Sequence, residues 1–580
     1  MSNLPVSIRI PPQDRQRFER FATTAKGAAG WCEMLPMGNP QALASTLCEA
    51  LDEFNRTPLP TALRHDLLLT LQAAIQQAMT LVGHRLANQP LELPKGLQAL
   101  AKLADQLAGL TCTAYSIVAV HTLDDPARVG KRDPARMTGE SLQRAIHFAA
   151  HKVLLAYQLH LPLEARVWNT LHQLYLLAEQ QQLATMAIPG PDGRGTTIQA
   201  TYLLPLLLAC CQPGQLLQAD VNQVYQGLGF WARLCRLHTP RSGQGLLAVD
   251  LGASAPPTYT ATLRVLDTLR HRLLDTGPLV THVAGLIEAA RQAQRNDIVL
   301  GSTRLQLPIL EHVINCLGSD RIRSTQRVSV RQTLDAAPGF SASHYYLAGE
   351  RTLEQLTGFA GTPVAKSPGA AENPFLRETG SIDPWSVAEG GDPFQRSAAA
   401  MNADGSIEMR VEEAAPETIA EPPPPPASLF SISPAVAVDA SPGGYCLEWD
   451  CALKSSLRSG ELLCLRGSEK APWQLGVIRW VHQEHGKSVR TGVELLGGKP
   501  APWAARLLRE GSNKTTTSRV FLLSATPLTE HHATLITPRS GFTEGQLLGL
   551  ERNGEQSRVR LRKQIAMTAG MRQFEVERLQ

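Results

Sequence analysis

Residues 435–449 read AVAVDASPGGYCLEW, two alternating runs of apolar and polar residues joined at Ser441-Pro442-Gly443-Gly444. Period-two patterning interrupted by a Pro-Gly-Gly turn marks a pair of antiparallel strands, and it sets the reading of everything downstream. Runs of the same kind recur at Glu461–Arg466, Trp473–Trp480 and Ser488–Leu496, the spacing of a small antiparallel barrel. A break at Gly497-Gly498-Lys499-Pro500 leads to a short helix expected over Pro502–Leu508. Five more strand-like runs follow at Ser518–Leu523, Ala533–Thr537, Gln546–Glu551, Ser557–Ile565 and Arg572–Arg578, so the C-terminal 150 residues read as nearly all β.

Upstream, from about residue 38 to 320, the period is helical. In Thr61–Val82, Leu67, Leu71, Ala74, Ile75, Ala78, Met79 and Val82 fall on one stripe. Helical spacing recurs in Ser141–His160, Val167–Gln182, Ile198–Cys211, Asp220–Leu237, Tyr259–Leu274 and Leu279–Arg295, with one strand-like insert at Gly245–Ala255. The pairs resemble helical repeats, without a strict 34-residue consensus. Alternation at Arg327–Arg331 and again at Ser343–Leu347 predicts that strands begin there. Residues 361–430 follow neither period, with 11 prolines and 4 basic against 11 acidic residues. That stretch carries a charge of −7, leaving +11 on the rest, and its composition predicts a disordered linker. The expected layout is a multidomain α + β chain. It comprises a 1–37 extension, a repeat-like α-helical array over 38–320, and an arginine segment with the first barrel strands over 321–360. The acidic linker (361–430), a β-barrel (431–510) and a C-terminal β module (511–580) complete it.

At 580 residues the chain has room for three or four domains. A net charge of +4 argues against nucleic acid or membrane binding by mass charge. Ten cysteines without a repeated CxxC spacing, and no apolar targeting segment near Met1, predict a cytoplasmic protein with reduced thiols. The most apolar run, Tyr202–Cys211, is about half of the roughly 20 residues a bilayer span needs. Enzyme chemistry finds no foothold: there is no GxxxxGK[ST] loop, no GxSxG elbow and no paired-carboxylate motif. His147 and His151 have metal-compatible spacing but no third ligand nearby, and His172 shares a helix stripe with Trp168 and Tyr175 as a core residue would. Arg558, Arg560 and Arg562 alternate as on a solvated, charge-protected edge strand.

The chemistry gathers on both sides of the linker. Before it stand Arg323, Arg327 and Arg331, spaced by four; after it stands Asp439-Ala-Ser441-Pro-Gly443-Gly444. Guanidinium forks bind phosphate oxygens and the O6/N7 edge of guanine, and stack on planar bases. A carboxylate accepts guanine's Watson–Crick-edge N–H groups, a serine adds a hydroxyl, and glycines allow positive φ and close backbone approach.

Arg-x-x-x-Arg followed by Asp-x-Ser-x-x-Gly at a strand junction, with strands such as GGYCLEWD, LGVIRW and Gly492–Leu496, resembles the PilZ domain. That bacterial six-stranded barrel binds cyclic di-GMP. The resemblance covers residues 431–510 and the arginine segment. It implies that Arg327 and Arg331, or Arg323 and Arg327, clamp phosphates and guanine faces, while Asp439 and Ser441 hold a guanine edge at the Gly443-Gly444 turn. The 107 residues between Arg331 and Asp439 depart from the family's much shorter spacing. The implied protein is a cyclic di-GMP-responsive receptor or adaptor, without enzyme activity or cofactor, whose helical array meets an unidentified protein partner. A ligand-free interaction scaffold with a degenerate barrel is the alternative.

Overall fold

The computed structural model describes residues 6–189, 195–319, 327–357, 430–450, 457–484, 488–497, 499–508, 517–525 and 533–579. Arg323 and, apart from Phe430, the linker expected over 361–430 lie outside the described residues. Two compact units form, one from residues 1–326 with 481–489, the other from 327–480 with 490–580.

The first unit contains ten described α-helices: α1 (Ala25–Glu33), α2 (Pro40–Arg56), α3 (Thr61–Leu86), α4 (Lys95–Asp124), α5 (Pro134–Gln158), α6 (Ala165–Gln180), α7 (Ile198–Cys210), α8 (Gln218–Trp231), α9 (Gly277–Gln292) and α10 (Leu307–Gly318). Several starts are explicit in the sequence. Asn39 accepts from the N–H groups of Gln41 and Ala42 with Pro40 at the first helical position, and Asp133-Pro134 does the same for α5. Helix α4 runs through the middle, packed against α2, α3 and α5. Among the described residues it alone is long and apolar enough to cross a membrane, yet 61% of its apolar window is buried in the protein.

Polar groups in this core are satisfied locally. Arg64 is fully buried, donates to the carbonyls of Phe54 and Thr57 at the end of α2, and lies over the Phe54 ring. Burial lowers its pKa to about 10, so it keeps its charge at neutral pH, where the carboxyl end of α2 favours a cation. His172 Nε2 donates to the Ala255 carbonyl, and Nδ1 accepts from Tyr202 Oη at 2.6 Å. Trp168 stacks on His172 and Tyr175 on Tyr202, so this stripe is core. Among the described residues no group of three or more His, Cys, Asp or Glu is placed to hold a metal.

The unit is mixed α/β, with one short strand pair between α6 and α7 and the remaining strands beyond α8. Strands β1 (Ile188–Pro189) and β2 (Gly195–Thr196) pair; β3 (Arg236–His238), β4 (Leu247–Asp250), β5 (Thr258–Tyr259) and β6 (His271–Asp275) form an antiparallel sheet ordered β3-β6-β4-β5; β7 (Asp297–Leu300) pairs with β8 (Thr303–Gln306). The helix expected over Tyr259–Leu274 is therefore not formed. Asp267 Oδ1 accepts from the Leu269 N–H at 2.8 Å, and Arg272 crosses to Glu179 with two hydrogen bonds. Tertiary pairing outweighs the local period there.

The second unit holds two closed antiparallel barrels. The first is made of β9 (Val328–Pro338), β10 (Ser433–Ser441), β11 (Gly444–Trp449), β12 (Leu462–Arg466), β13 (Gln474–Gln483) and β14 (Val489–Leu495), ordered β10-β11-β14-β13-β12-β9. The second is made of β15 (Ala501–Leu507), β16 (Thr517–Leu523), β17 (Thr534–Pro538), β18 (Leu547–Arg552), β19 (Glu555–Met567) and β20 (Met571–Leu579), ordered β15-β16-β17-β20-β19-β18. Two expectations fail here. Pro502–Leu508 is not a helix but lies in β15, where register with β16 and β18 overrides an Ala-rich composition. Ser343–Leu347 is not a strand but the end of α11 (Phe340–Leu347), which starts after Gly339 at φ 101° and buries most of its residues, so no polar stripe betrays it. A short α12 (Leu353–Thr357) follows.

Helix α11 joins the barrels. Phe340 packs against Phe521, and His344 Nε2 donates to the Trp503 carbonyl at 3.0 Å. Leu462, Leu475 and Val477 of one barrel share a core with Phe521, Leu523, Ile536 and Met571 of the other. Beside that core the Gly460 carbonyl accepts from Thr568 Oγ1 and the Gly570 N–H, and Glu461 is only 9% exposed. Burial pushes the Glu461 carboxyl up to about 7 from an ordinary 4.5. Its folded pKa is the higher one, so its contribution to stability is whole below pH 4.5 and is lost as pH rises towards 7. Glu461→Gln is therefore expected to match the parent near pH 4.5 and to exceed it at pH 8 by on the order of 1–3 kcal/mol in urea unfolding.

Candidate ligand site on the middle barrel

Strand β9 enters the barrel between β10 and β12, from the far side of the long insertion. Leu334 opposes Ala435, and Ser329 opposes Asp439. All of Ala435, Ala437, Leu447 and Trp449 point into the barrel, and Trp449 Nε1 donates to Thr491 Oγ1 at 2.8 Å. Strict alternation would send Asp439 inward as well. A β-bulge between Ala437 and Asp439 shifts the register by one, pairing Asp439 with Cys446 on the face that also carries Glu448. The carboxylate is thus delivered to the outside of the barrel.

Arg327, the residue preceding β9, meets it there. Its Nη1 donates to Asp439 Oδ1 at 2.7 Å, with the two side chains 28% and 29% exposed. Arg331 lies four residues on, about 13 Å along an extended chain, and is exposed with no ion-pair partner among the described residues. Ser441 and Gly444 pair across the two-residue Pro442-Gly443 loop, and Ser441 Oγ reaches the Gly444 carbonyl at 3.4 Å.

Of the two freedoms the glycines allow, positive φ is used at neither Gly443 nor Gly444. Gly444 is required for close approach, because a Cβ there would stand 2.0 Å from the Val493 carbonyl oxygen. Gly443 is open, with nothing within 4 Å of such a Cβ, while its carbonyl accepts from the Leu495 N–H at 2.9 Å.

The structure therefore brings Arg327, Asp439, Ser441, Gly443 and Gly444 to one end of the barrel with Arg331 alongside; Arg323 lies outside the described residues. The bulge at Val438 has no signature in the sequence, since a bulge is a property of register between strands. Nor do the pairs Glu448–Arg490 and Arg479–Glu494, at 3.6 and 2.6 Å, or Trp480 lying over Gly492. Chemically, one end of the barrel offers one paired and one unpaired guanidinium, a carboxylate and a hydroxyl, an arrangement suited to an anionic purine.

A closed six-stranded barrel with this arginine approach and this Asp-x-Ser-x-x-Gly hairpin is a PilZ domain, and the chain belongs to the PilZ-domain proteins, with a helical N-terminal region. Residues 246–502 match the family model of the middle PilZ domain of the cyclic-di-GMP receptor FimW. Residues 26–242 match the model of that receptor's N-terminal domain, and 503–579 that of its C-terminal β-barrel domain. The chain is similar to the cyclic-di-GMP receptor FimW of Pseudomonas aeruginosa, 27% identical over 588 residues that cover 98% of this chain and 93% of that protein. No solved structure matches it.

Three stability measurements follow from the geometry. Gly444→Ala is expected to cost about 1–3 kcal/mol in urea unfolding, since backbone must shift, whereas Gly443→Ala should stay within about 0.5 kcal/mol of the parent. Arg327→Ala should cost less than about 1 kcal/mol, the range of part-exposed ion pairs.

Proposed function

We propose that this protein is a cyclic di-GMP receptor whose middle barrel binds the dinucleotide through Arg327, Arg331, Asp439, Ser441 and the backbone of Gly443-Gly444. Arg323 extends the arginine clamp. The observation that carries the reading is the Arg327–Asp439 contact, which joins the two halves of the motif across the insertion. The relative named a cyclic-di-GMP receptor supports the choice of ligand.

In this reading the guanidiniums engage phosphates and guanine faces. Asp439 turns one or both carboxylate oxygens to the guanine N1–H and N2–H groups, and Ser441 adds a hydrogen bond. Opening a part-exposed ion pair costs about 1 kcal/mol or less, so the ligand can displace it. The protein acts by binding, not catalysis, and works in the cytoplasm, a location that ten cysteines without a repeated CxxC spacing support.

The arginine segment is also the covalent junction. Helix α10 ends at Gly318 and β9 begins at Val328, so Arg327 stands where the connection from the helical array reaches the barrel. We take the array as the surface that meets a protein partner. A full switch from 1:99 to 99:1 requires a preference of about 5.5 kcal/mol for one arrangement.

A second reading is a ligand-free scaffold, favoured by the fact that Arg327 and Asp439 already satisfy each other. Titration calorimetry with cyclic di-GMP separates the two. The receptor reading expects binding that weakens at least about tenfold in Arg327→Ala, Arg331→Ala and Asp439→Ala, each tenfold step being 1.4 kcal/mol. Absence of heat, or heat indifferent to all three changes, leaves the scaffold.

A further inference from the structure

Arg558, Arg560 and Arg562, expected on an edge strand, lie in β19, which is paired on both sides in a closed barrel, and the ligand site does not use them. The helical unit carries a feature with more chemistry: a cavity of about 470 Å³ lined by Gln13, Pro58, Leu59, Thr61, His121 and Arg128. That volume lies in the range of small-molecule sites. Helix α3 begins at its wall. Pro60, at the cap position, makes no side-chain hydrogen bond to the helix, and the Arg64 N–H donates to the Pro60 carbonyl at 2.9 Å. The N–H groups of Thr61, Ala62 and Leu63 are therefore open at the positive end of a 26-residue helix.

Unpartnered donors gather at that end. Thr61 is only 1% exposed and lines the cavity, yet its hydroxyl makes no hydrogen bond among the described residues. Gln13 Nε2 is buried without a partner. Its neighbours fix Gln13 in place: Asp14 accepts two hydrogen bonds from Arg56, at 2.9 and 2.7 Å, and the Arg15 N–H donates to the Arg56 carbonyl at 3.0 Å. The last turn of α4 contributes His121, and the single turn after it contributes Arg128, whose Nε donates to Asp125 at 3.2 Å. Burial, and then the charges of Arg64 and Arg128, hold the His121 imidazole below its ordinary pKa, while Asp124 acts in the opposite sense. Among the described residues no carboxylate lines the cavity, so its potential is positive.

We infer that this cavity binds a phosphomonoester, with its phosphoryl group at the start of α3 and its apolar body against Pro58 and Leu59. Open N–H groups at a helix start form an anion site, and donors drawn from three separate segments suit a tetrahedral dianion better than a planar carboxylate. The Thr61 hydroxyl, the Gln13 amide and the Arg128 guanidinium supply the side-chain donors. All of these residues belong to the first unit, so the site is independent of the reading given to the middle barrel.

Titration calorimetry of the full-length protein with phenyl phosphate, in phosphate-free buffer at about 50 mM salt, tests this. A millimolar dissociation constant or tighter is expected. Thr61→Val, which keeps the shape and replaces the hydroxyl, and Arg128→Gln, at an exposed position, should each weaken binding at least about fivefold, whereas Thr61→Ser should keep it. Inorganic phosphate should bind roughly fivefold more weakly than the ester, since it leaves Pro58 and Leu59 uncovered. Should Thr61→Val fail to fold, Gln13→Leu should give the same loss from a different segment. Absence of heat at about 10 mM phenyl phosphate would overturn the proposal, as would binding indifferent to Thr61→Val and Arg128→Gln. Benzoate binding as tightly as phenyl phosphate would overturn the phosphoryl group, and inorganic phosphate doing so would overturn the ester.

Discussion

The second unit depends on one ladder: β9 hydrogen-bonds to β10 on one side and β12 on the other, closing the first barrel with a strand that precedes the insertion. Without it, β10 and β12 would each expose an unpaired edge, and Leu334 and Ala336 would leave the barrel interior. The entropy of bridging the insertion is modest, because closure cost rises only as the logarithm of length, about 0.6 kcal/mol per doubling. Backbone pairing along most of an eleven-residue strand outweighs that, so a long insertion is compatible with a closed barrel.

The same ladder builds the proposed ligand site. Arg327 immediately precedes β9 and Asp439 is displaced outward by the bulge, so the residues meet through register alone, with no dedicated loop to hold them. A site made in this way is as rigid as the sheet that carries it, while its charges stay accessible at the surface. Only one residue beyond β9, the chain becomes the connection to the helical array, so the proposed recognition residues adjoin the linkage.

Much of this was legible in the sequence, and the exceptions have physical causes. The strands β10 to β14 and β16 to β20 announce themselves by period-two alternation, and the motif residues around Asp439 identify the family. Helix α11 was misread because both its sides are buried between barrels, which erases the polar stripe that distinguishes a helix from a strand. Strand β15 was misread because Ala and Arg suit a helix until cross-strand partners are supplied. Two adjacent glycines allow both positive φ and close approach; Gly444 serves the second, against a neighbouring strand that no local pattern encodes.

The insertion enters and leaves on the body that β9 closes, with Thr357 on one flank and Phe430 on the other. A peptide bond broken between them would therefore leave two polypeptides knitted by the sheet, as in a split protein reassembled without a linker. The position is a natural port in the architecture, where evolution or an engineer can lengthen, replace or sever the chain while the barrel keeps its shape.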